Sequence, residues 1–156
     1  MQKLTQYCGE YDNSLNIIKE KLDHNDNYIG QTLTDTQIMT LYLNIFPNNK
    51  DFNLNNISKN SIFYFLTFKD IPIGMFNLTV LTNYTAFLSD FGIHTDYRNK
   101  GIGKLLFYKV ISICKNLKLT LIFDSISNDN IKKFYLSTDS KIINENNNSI
   151  HWINNY

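Results

Sequence analysis

From Ser61 onward the apolar residues stop recurring at helical spacing and run as β-branched and aromatic stretches, which commits most of the chain to a sheet. SIFYFLTF, starting at Ser61, reads as a strand, Lys69-Asp70 as a turn, and IPIGMFNLTVL as the returning strand of a hairpin. AFLSDFGIH follows as a third strand. TDYRNKG then leads into a helix, roughly 101–116, with Ile102, Leu105, Leu106, Val110 and Ile113 on its apolar face. LKLTLIFDSI is another strand, and NDNIKKFYL a short helix that Asn128 or Asp129 can cap. KIINE and IHWIN close the chain as a hairpin across Asn146–Ser149.

The first sixty residues read differently. Residues 1–12 are ambiguous and could hold a short strand. Leu15, Ile18 and Leu22 sit at helical spacing until the polar DHNDN breaks the pattern. A second helix is expected from Thr34, as N-cap, to about Ile45, with Ile38, Leu41, Tyr42 and Ile45 on one stripe before Pro47. The expected order is α-α-β-β-β-α-β-α-β-β: an α/β (α+β) fold with a mixed, mostly antiparallel sheet and helices on both faces. At 156 residues, 43% hydrophobic, the chain is expected to form a single domain over 1–156 with a real core.

Composition narrows the function. A net charge of +1, with Lys and Asp/Glu scattered, argues against nucleic acid as the main partner. No run approaches the ~18 apolar residues of a spanning helix, and MQKLTQYCGEYD lacks the apolar core of a signal peptide. A soluble, cytoplasmic protein is expected. Cys8 and Cys114 belong to no CxxC or Cys/His cluster and read as free thiols, Cys114 packed in a helix; no metal is expected. His24 and His151 have no partner in the sequence and read as structural, and Trp152 as core or sheet packing. Asn, Ile, Lys, Phe and Tyr are over-represented, as AT-rich coding would produce, so the Asn runs are loop filler. Against that background the sole arginine, Arg98, and two of only six glycines, Gly101 and Gly103, stand together.

Arg98-Asn99-Lys100-Gly101-Ile102-Gly103 lies between a strand and a helix. The first turn of a helix offers unpaired N–H groups and the positive end of the dipole. Gly101 and Gly103 remove the Cβ atoms that would hold a phosphate away from those amides, and Lys100 and Lys104 add positive charge. The segment suits a phosphate ester or pyrophosphate. A dinucleotide fingerprint would place a third glycine at Leu106, and no GxxxxGK[ST] string exists. A glycine turn with no ligand is the bland alternative.

R-x-x-G-x-G after a strand and the acidic-aromatic Asp96-Tyr97 resembles motif A of the GNAT superfamily of N-acetyltransferases. Asn128-Asp129-Asn130-Ile131-Lys132-Lys133-Phe134-Tyr135 is similar to that family's N-x-x-A-x-x-F-Y segment, matching at Asn128, Phe134 and Tyr135. The family's Ala is Ile131 here, and its Gly-Phe after the last helix is replaced in Leu136-Ser137-Thr138-Asp139-Ser140. The resemblance covers about 30–156 and implies an N-acetyltransferase that moves an acetyl group from acetyl-CoA to a primary amine in a ternary complex. It further implies that amides around Lys100, Gly101, Ile102, Gly103 and Lys104, with Asn99 in the loop, bind the pyrophosphate of acetyl-CoA. Arg98 would anchor the loop or assist the phosphates. Phe91, Gly92, Ile93 and His94 would pair their backbone with the pantetheine arm, Gly92 allowing close approach. Asn128 would hydrogen-bond the pantetheine and Tyr135 would serve the leaving thiolate as general acid. Asp90 is a candidate base for the amine, on the same face as Gly92 if Phe91 and Ile93 face the core; His94 is the fallback. A CoA-binding module without catalysis and an interaction domain are the rival readings. The acceptor and the oligomeric state, homodimer or otherwise, are open.

Overall fold

The computed structural model describes residues 5–11, 18–20, 34–53, 61–68 and 71–155. Among the described residues, eight strands form one sheet: β1 (Thr5–Tyr11), β2 (Ile18–Glu20), β3 (Ser61–Phe68), β4 (Ile71–Thr82), β5 (Thr85–Ile93), β6 (Thr120–Ile126), β7 (Lys141–Glu145) and β8 (Ser149–Asn154). Their spatial order is β2-β1-β3-β4-β5-β6-β8-β7. Helix α1 (Asp35–Ile45) precedes β3, α2 (Ile102–Asn116) joins β5 to β6, and α3 (Asp129–Leu136) follows β6. The sheet is mixed and mostly antiparallel; β1 with β3 and β5 with β6 are the parallel pairs. Parallel neighbours cannot be joined by a tight turn, and α2 supplies the crossover between β5 and β6. Among the described residues no helix is long and apolar enough to cross a membrane.

Helix α1 starts where the sequence indicates. Thr34 accepts a hydrogen bond from the Gln37 amide at 3.2 Å, and the Gln37 side chain accepts one from the Thr34 amide at 2.9 Å, a reciprocal capping box. Its stripe of Ile38, Leu41, Tyr42 and Ile45 is buried against Phe63, Phe65 and Met75. On the other face, Tyr64 and Leu66 of β3 join Phe76 of β4 and Leu106, Phe107 and Val110 of α2. Alternate residues of β3 therefore serve two cores, and the strand is apolar from Ile62 to Leu66 because helices cover both sides. Trp152 and Cys114 are buried in the α2-side core, as expected.

Two expectations are corrected or completed here. Ile18, expected in a helix, begins β2, which pairs antiparallel with β1 through Tyr11↔Ile18 and Gly9↔Glu20. Three apolar points at helical spacing are few, and an Ile-Ile step suits a strand at least as well. Leu15, Leu22, His24, DHNDN and the Lys69-Asp70 turn lie outside the described residues. The missing Gly-Phe after α3 is replaced rather than lost. Asp139 takes the left-handed conformation itself, at φ 61°, one that Asp tolerates better than most residues. Ser140 is buried and pairs with Thr138 at 3.0 Å, while Asn154 on β8 donates to the Thr138 carbonyl and to Ser140 at 3.2 and 3.1 Å. Thr138, Ser140 and Asn154 form a satisfied polar cluster beneath this turn.

Candidate active site

Strands β5 and β6 are paired only from Thr85↔Thr120 to Leu88↔Phe123, yet β5 runs on to Ile93 and β6 to Ile126. Past Leu88 they diverge. The divergence coincides with a bulge: Asn77 of β4 opposes Ser89 and Met75 opposes Gly92, so Asp90 and Phe91 together face one residue, Phe76. Asp90 sits at the bulge in the left-handed region, φ 52°. The separated strands bound a cleft of about 1150 Å³. One wall is β5 from Leu88 to Ile93, the opposite wall Phe123 to Ile126 of β6. Ile45, Phe46 and Asn49 close one end, and Arg98, Gly103, Asn130, Ile131, Phe134 and Tyr135 the other. The β6-facing backbone of β5 beyond Leu88 thus has no strand partner and borders the cleft.

The bulge sorts the side chains of β5. Phe91 and Ile93 pack with the α2-side core, while Asp90 reaches Tyr42 of α1 and Gly92 abuts Ile45 of α1. The expected pairing of Asp90 and Gly92 on one face holds. Gly92 has a packing reason that the sequence does not disclose: a Cβ there would lie 2.2 Å from Ile45 Cγ2. His94 leaves that face and does not line the cleft. Its Nδ1 accepts from the Asp96 amide at 3.1 Å, and its ring meets Tyr97 edge-on.

The glycine loop has the conformation expected of an anion cradle. Asn99 and Gly101 are both left-handed, at φ 59° and 80°. Gly101 is the N-cap of α2 and offers no side chain to its first amides. Those amides, from Ile102 to Lys104, keep their donors and the positive end of the dipole. A Cβ on Gly101 would meet nothing within 4 Å, so the strain of its positive φ is what calls for glycine there. Arg98 anchors the loop: its Nε donates to the Ile93 carbonyl at 2.9 Å. Lys100 and Lys104 lie over the rings of Tyr97 and Tyr108, at 5.7 and 5.9 Å, flanking the helix start.

Tyr135 is held by aromatic rings, with Phe123 at 4.6 Å, Phe107 at 5.2 Å and Trp152 at 5.4 Å between centroids. Burial pushes its phenol up to about 12, so it carries its proton at neutral pH. Asn128 caps α3, its Oδ1 accepting from the amides of Asn130 and Ile131 at 2.9 and 3.2 Å. Only its Nδ2 is left to serve a ligand, and its neighbours Asn130 and Ile131, rather than Asn128 itself, line the cleft.

Around the cleft, several side chains have partners that the sequence does not signal. Asp90 accepts a hydrogen bond from the Tyr42 hydroxyl at 3.3 Å, and Asn49 Nδ2 donates to that hydroxyl oxygen at 2.6 Å. Asn77 and Ser89 also hydrogen-bond the Asp90 carboxyl. Burial raises Asp90 above the ordinary carboxylate range despite these partners. Asp124, on the β6 wall, is hydrogen-bonded to His151 of β8, which the sequence leaves without a partner. The cross-strand register Asp124↔His151 makes that pair.

The comparisons with known proteins agree with this architecture. The model of the acetyltransferase (GNAT) family matches residues 34–137, two thirds of the chain. No curated protein matches by sequence. Among solved structures, a GNAT family acetyltransferase from Elizabethkingia anophelis with acetyl-CoA bound is 16% identical, with a TM-score of 0.63 over 83% of this chain and 95% of that one. A Bacillus subtilis acetyltransferase in complex with CoA is also 16% identical, with a TM-score of 0.65 over 81% and 95%. The ribosomal-protein-S18-alanine N-acetyltransferase of Escherichia coli is 15% identical, with a TM-score of 0.65 over 79% and 90%. A crossover helix begun by an uncapped glycine turn, a sheet split beyond a bulge and a family match spanning both place the chain in the GNAT family of acetyltransferases.

Proposed function

We propose that the chain transfers an acetyl group from acetyl-CoA to a primary amine by direct attack in a ternary complex. One observation carries this reading: a single cleft joins an open strand edge, a helix start with free amides and a tyrosine hydroxyl. The residues present fit acetyl-CoA. The amides of Ile102, Gly103 and Lys104, with Lys100 and Lys104, suit the pyrophosphate. Backbone groups of Phe91 to Ile93 suit the amide-bearing pantetheine arm, and Asn128 Nδ2 and Asn130 add donors beside it.

The thioester supplies an electrophilic carbonyl carbon and a thiolate leaving group, so that a C–N bond forms as a C–S bond breaks. Backbone N–H groups on the open β5 edge can stabilise charge on the carbonyl oxygen. Tyr135 faces the cleft as a donor. With its phenol near 12 and a thiol reference near ~8.5, full proton transfer to the sulfur is uphill. Its role is therefore to hold a hydrogen bond to the departing sulfur. The ammonium of the acceptor must lose one proton before attack, because it has no lone pair otherwise, and the nitrogen gives up a second as the C–S bond breaks, which the departing thiolate can take up to leave as free thiol. Asp90, its carboxyl raised by burial and lining the same cleft, is the base. Asp124 gives the acceptor end a second carboxylate.

The experiment is release of free thiol from acetyl-CoA across a panel of primary amines, with mass spectrometry of the products. Tyr135→Phe is expected to lower kcat by about 10–10³-fold and to leave the affinity for CoA nearly intact. Binding of CoA with no amine acetylated by the wild type would favour a catalytically silent module. A collapse of CoA affinity in Tyr135→Phe, with kcat preserved at saturation, would make Tyr135 a packing residue.

A further inference from the structure

The surroundings of Asp90 consist of donors drawn from three elements. Tyr42 comes from α1, Asn77 from β4 and Ser89 from β5 itself. Asn77 is 8% exposed, and its Oδ1 is the one buried side-chain acceptor without a partner among the described residues. Its amide thus presents its donor to Asp90 and leaves the oxygen unsatisfied. Such an arrangement costs free energy in a buried place and is sustained only if Asp90 needs donors, that is, as a carboxylate.

Tyr42 is arranged for the same end. Its ring stacks on Phe52 at 3.6 Å and 9°, and leans on Phe46 at 5.0 Å, which fixes where the hydroxyl points. Asn49 Nδ2 occupies a lone pair of that hydroxyl at 2.6 Å. The phenol proton is then left for Asp90 Oδ1, in a chain whose members polarise one another. An apolar stripe would be equally well filled by phenylalanine, so core packing does not account for the hydroxyl.

We propose that Tyr42 is a positioning residue for the acetyl transfer: its hydroxyl, oriented by Asn49, holds the Asp90 carboxylate ionised and turned to the cleft. The inference rests on the reading of Asp90 as the base. Tyr42 is the titratable group in contact with Asp90. Asn77 and Ser89 are neutral, and Asp124, Tyr135 and Arg98 border the same cleft with no hydrogen bond to it. The acceptor end thus includes the 46–50 loop, through Asn49, as well as the sheet.

The test is a direct titration of the Asp90 carboxyl by ¹³C NMR in the ligand-free protein, for wild type, Tyr42→Phe and Asn49→Ala. Phenylalanine keeps the stack on Phe52, so the fold is expected to stand, and a melting curve checks it. Loss of a donor to the charged form should move the Asp90 titration to higher pH in Tyr42→Phe, and less far in Asn49→Ala. In kinetics the acidic limb of kcat/KM should follow, lowering activity by about 10-fold on the acid side with recovery at high pH. KM for acetyl-CoA should not change. An Asp90 titration unmoved in a folded Tyr42→Phe protein overturns the proposal. The base reading is judged separately: an acidic limb that persists in Asp90→Asn would remove Asp90 as the base, while the titration still reports whether Tyr42 controls its charge.

Discussion

Replacing Gly103 by valine separates ligand binding from folding more cleanly than any other change in this site. A Cβ at Gly103 would lie 3.9 Å from Ile93 Cγ1 and 3.9 Å from a ring carbon of Phe134, ordinary contacts that displace nothing. Its backbone is helical, inside the first turn of α2, so valine meets no conformational penalty and gains slightly over glycine in propensity. The side chain projects into the cleft that Gly103 lines. A phosphate held by helix-start amides accepts charge-assisted hydrogen bonds worth about 1.5–3 kcal/mol each. Losing two of them lowers CoA affinity by at least about 10²-fold. At ligand one hundred times above Kd the wild type should gain about 2.7 kcal/mol of stability, a rise in melting temperature of roughly 5–10 °C for a chain of this size. Gly103→Val should melt within a degree or two of the wild type without ligand and rise by no more than about 1–2 °C with CoA at the same concentration. Calorimetric titration gives the affinity directly. A full CoA-induced shift in this variant would refute the phosphate cradle, because no other consequence of the substitution compensates for a blocked approach.

Two further outcomes follow from the cleft. Asp90 has its folded pKa raised by burial, so the folded protein binds more protons than the unfolded chain between the two pKa values; stability is greatest below the unfolded value and declines as pH rises through the folded one. Asp90→Asn, which keeps a residue tolerant of positive φ, should therefore raise the melting temperature at pH 7, with the gain shrinking as pH falls through the raised folded pKa and gone below the unfolded value of about 4; a loss of stability at pH 7 would contradict the burial argument. Gly92→Ala forces a methyl group against Ile45 and should cost about 1–3 kcal/mol by denaturant unfolding, and much less when introduced into an Ile45→Ala background; additive losses would mean the two residues do not press on each other.

How much of this was legible from residues depended on the range of the interaction. Local signals read well. Thr34 and Gln37 are three residues apart and cap α1 as a pair; Asn128 caps α3; Gly101 starts α2 because a single backbone angle demands it. Strand alternation placed Asp90 with Gly92. Long-range partners left no trace. Tyr42 meets Asp90 across 48 positions, and Asp124 meets His151 across 27. Tyr42 counts as one more apolar residue on a stripe, since helical spacing reports the ring and is silent about the hydroxyl. Strand alternation would put His94 on the face of Asp90, whereas a 3₁₀ turn at Thr95–Tyr97, three residues that alternation does not report, takes its Nδ1 as a cap.

The bulge at Asp90 is where fold and site meet, and it explains why an acidic residue occupies a central strand at all. Without the extra residue, Asp90 would share a face with Ala86 and Leu88, both buried in the α2-side core. A carboxylate there would be desolvated among Phe107 and Phe123 with no donor to receive it. The extra residue turns Asp90 to the α1 side, where Tyr42, Asn77 and Ser89 supply donors. The same irregularity ends the β5–β6 ladder at Leu88↔Phe123 and opens the cleft. A left-handed aspartate costs backbone strain of order 1–3 kcal/mol, and an unpartnered Asn77 Oδ1 adds to it. Removing the bulge would restore the ladder and bury the carboxylate in the same step, so a variant lacking one residue at 89–90 should fold poorly or lose the cleft, and it cannot keep both the paired strands and a cleft-facing carboxylate.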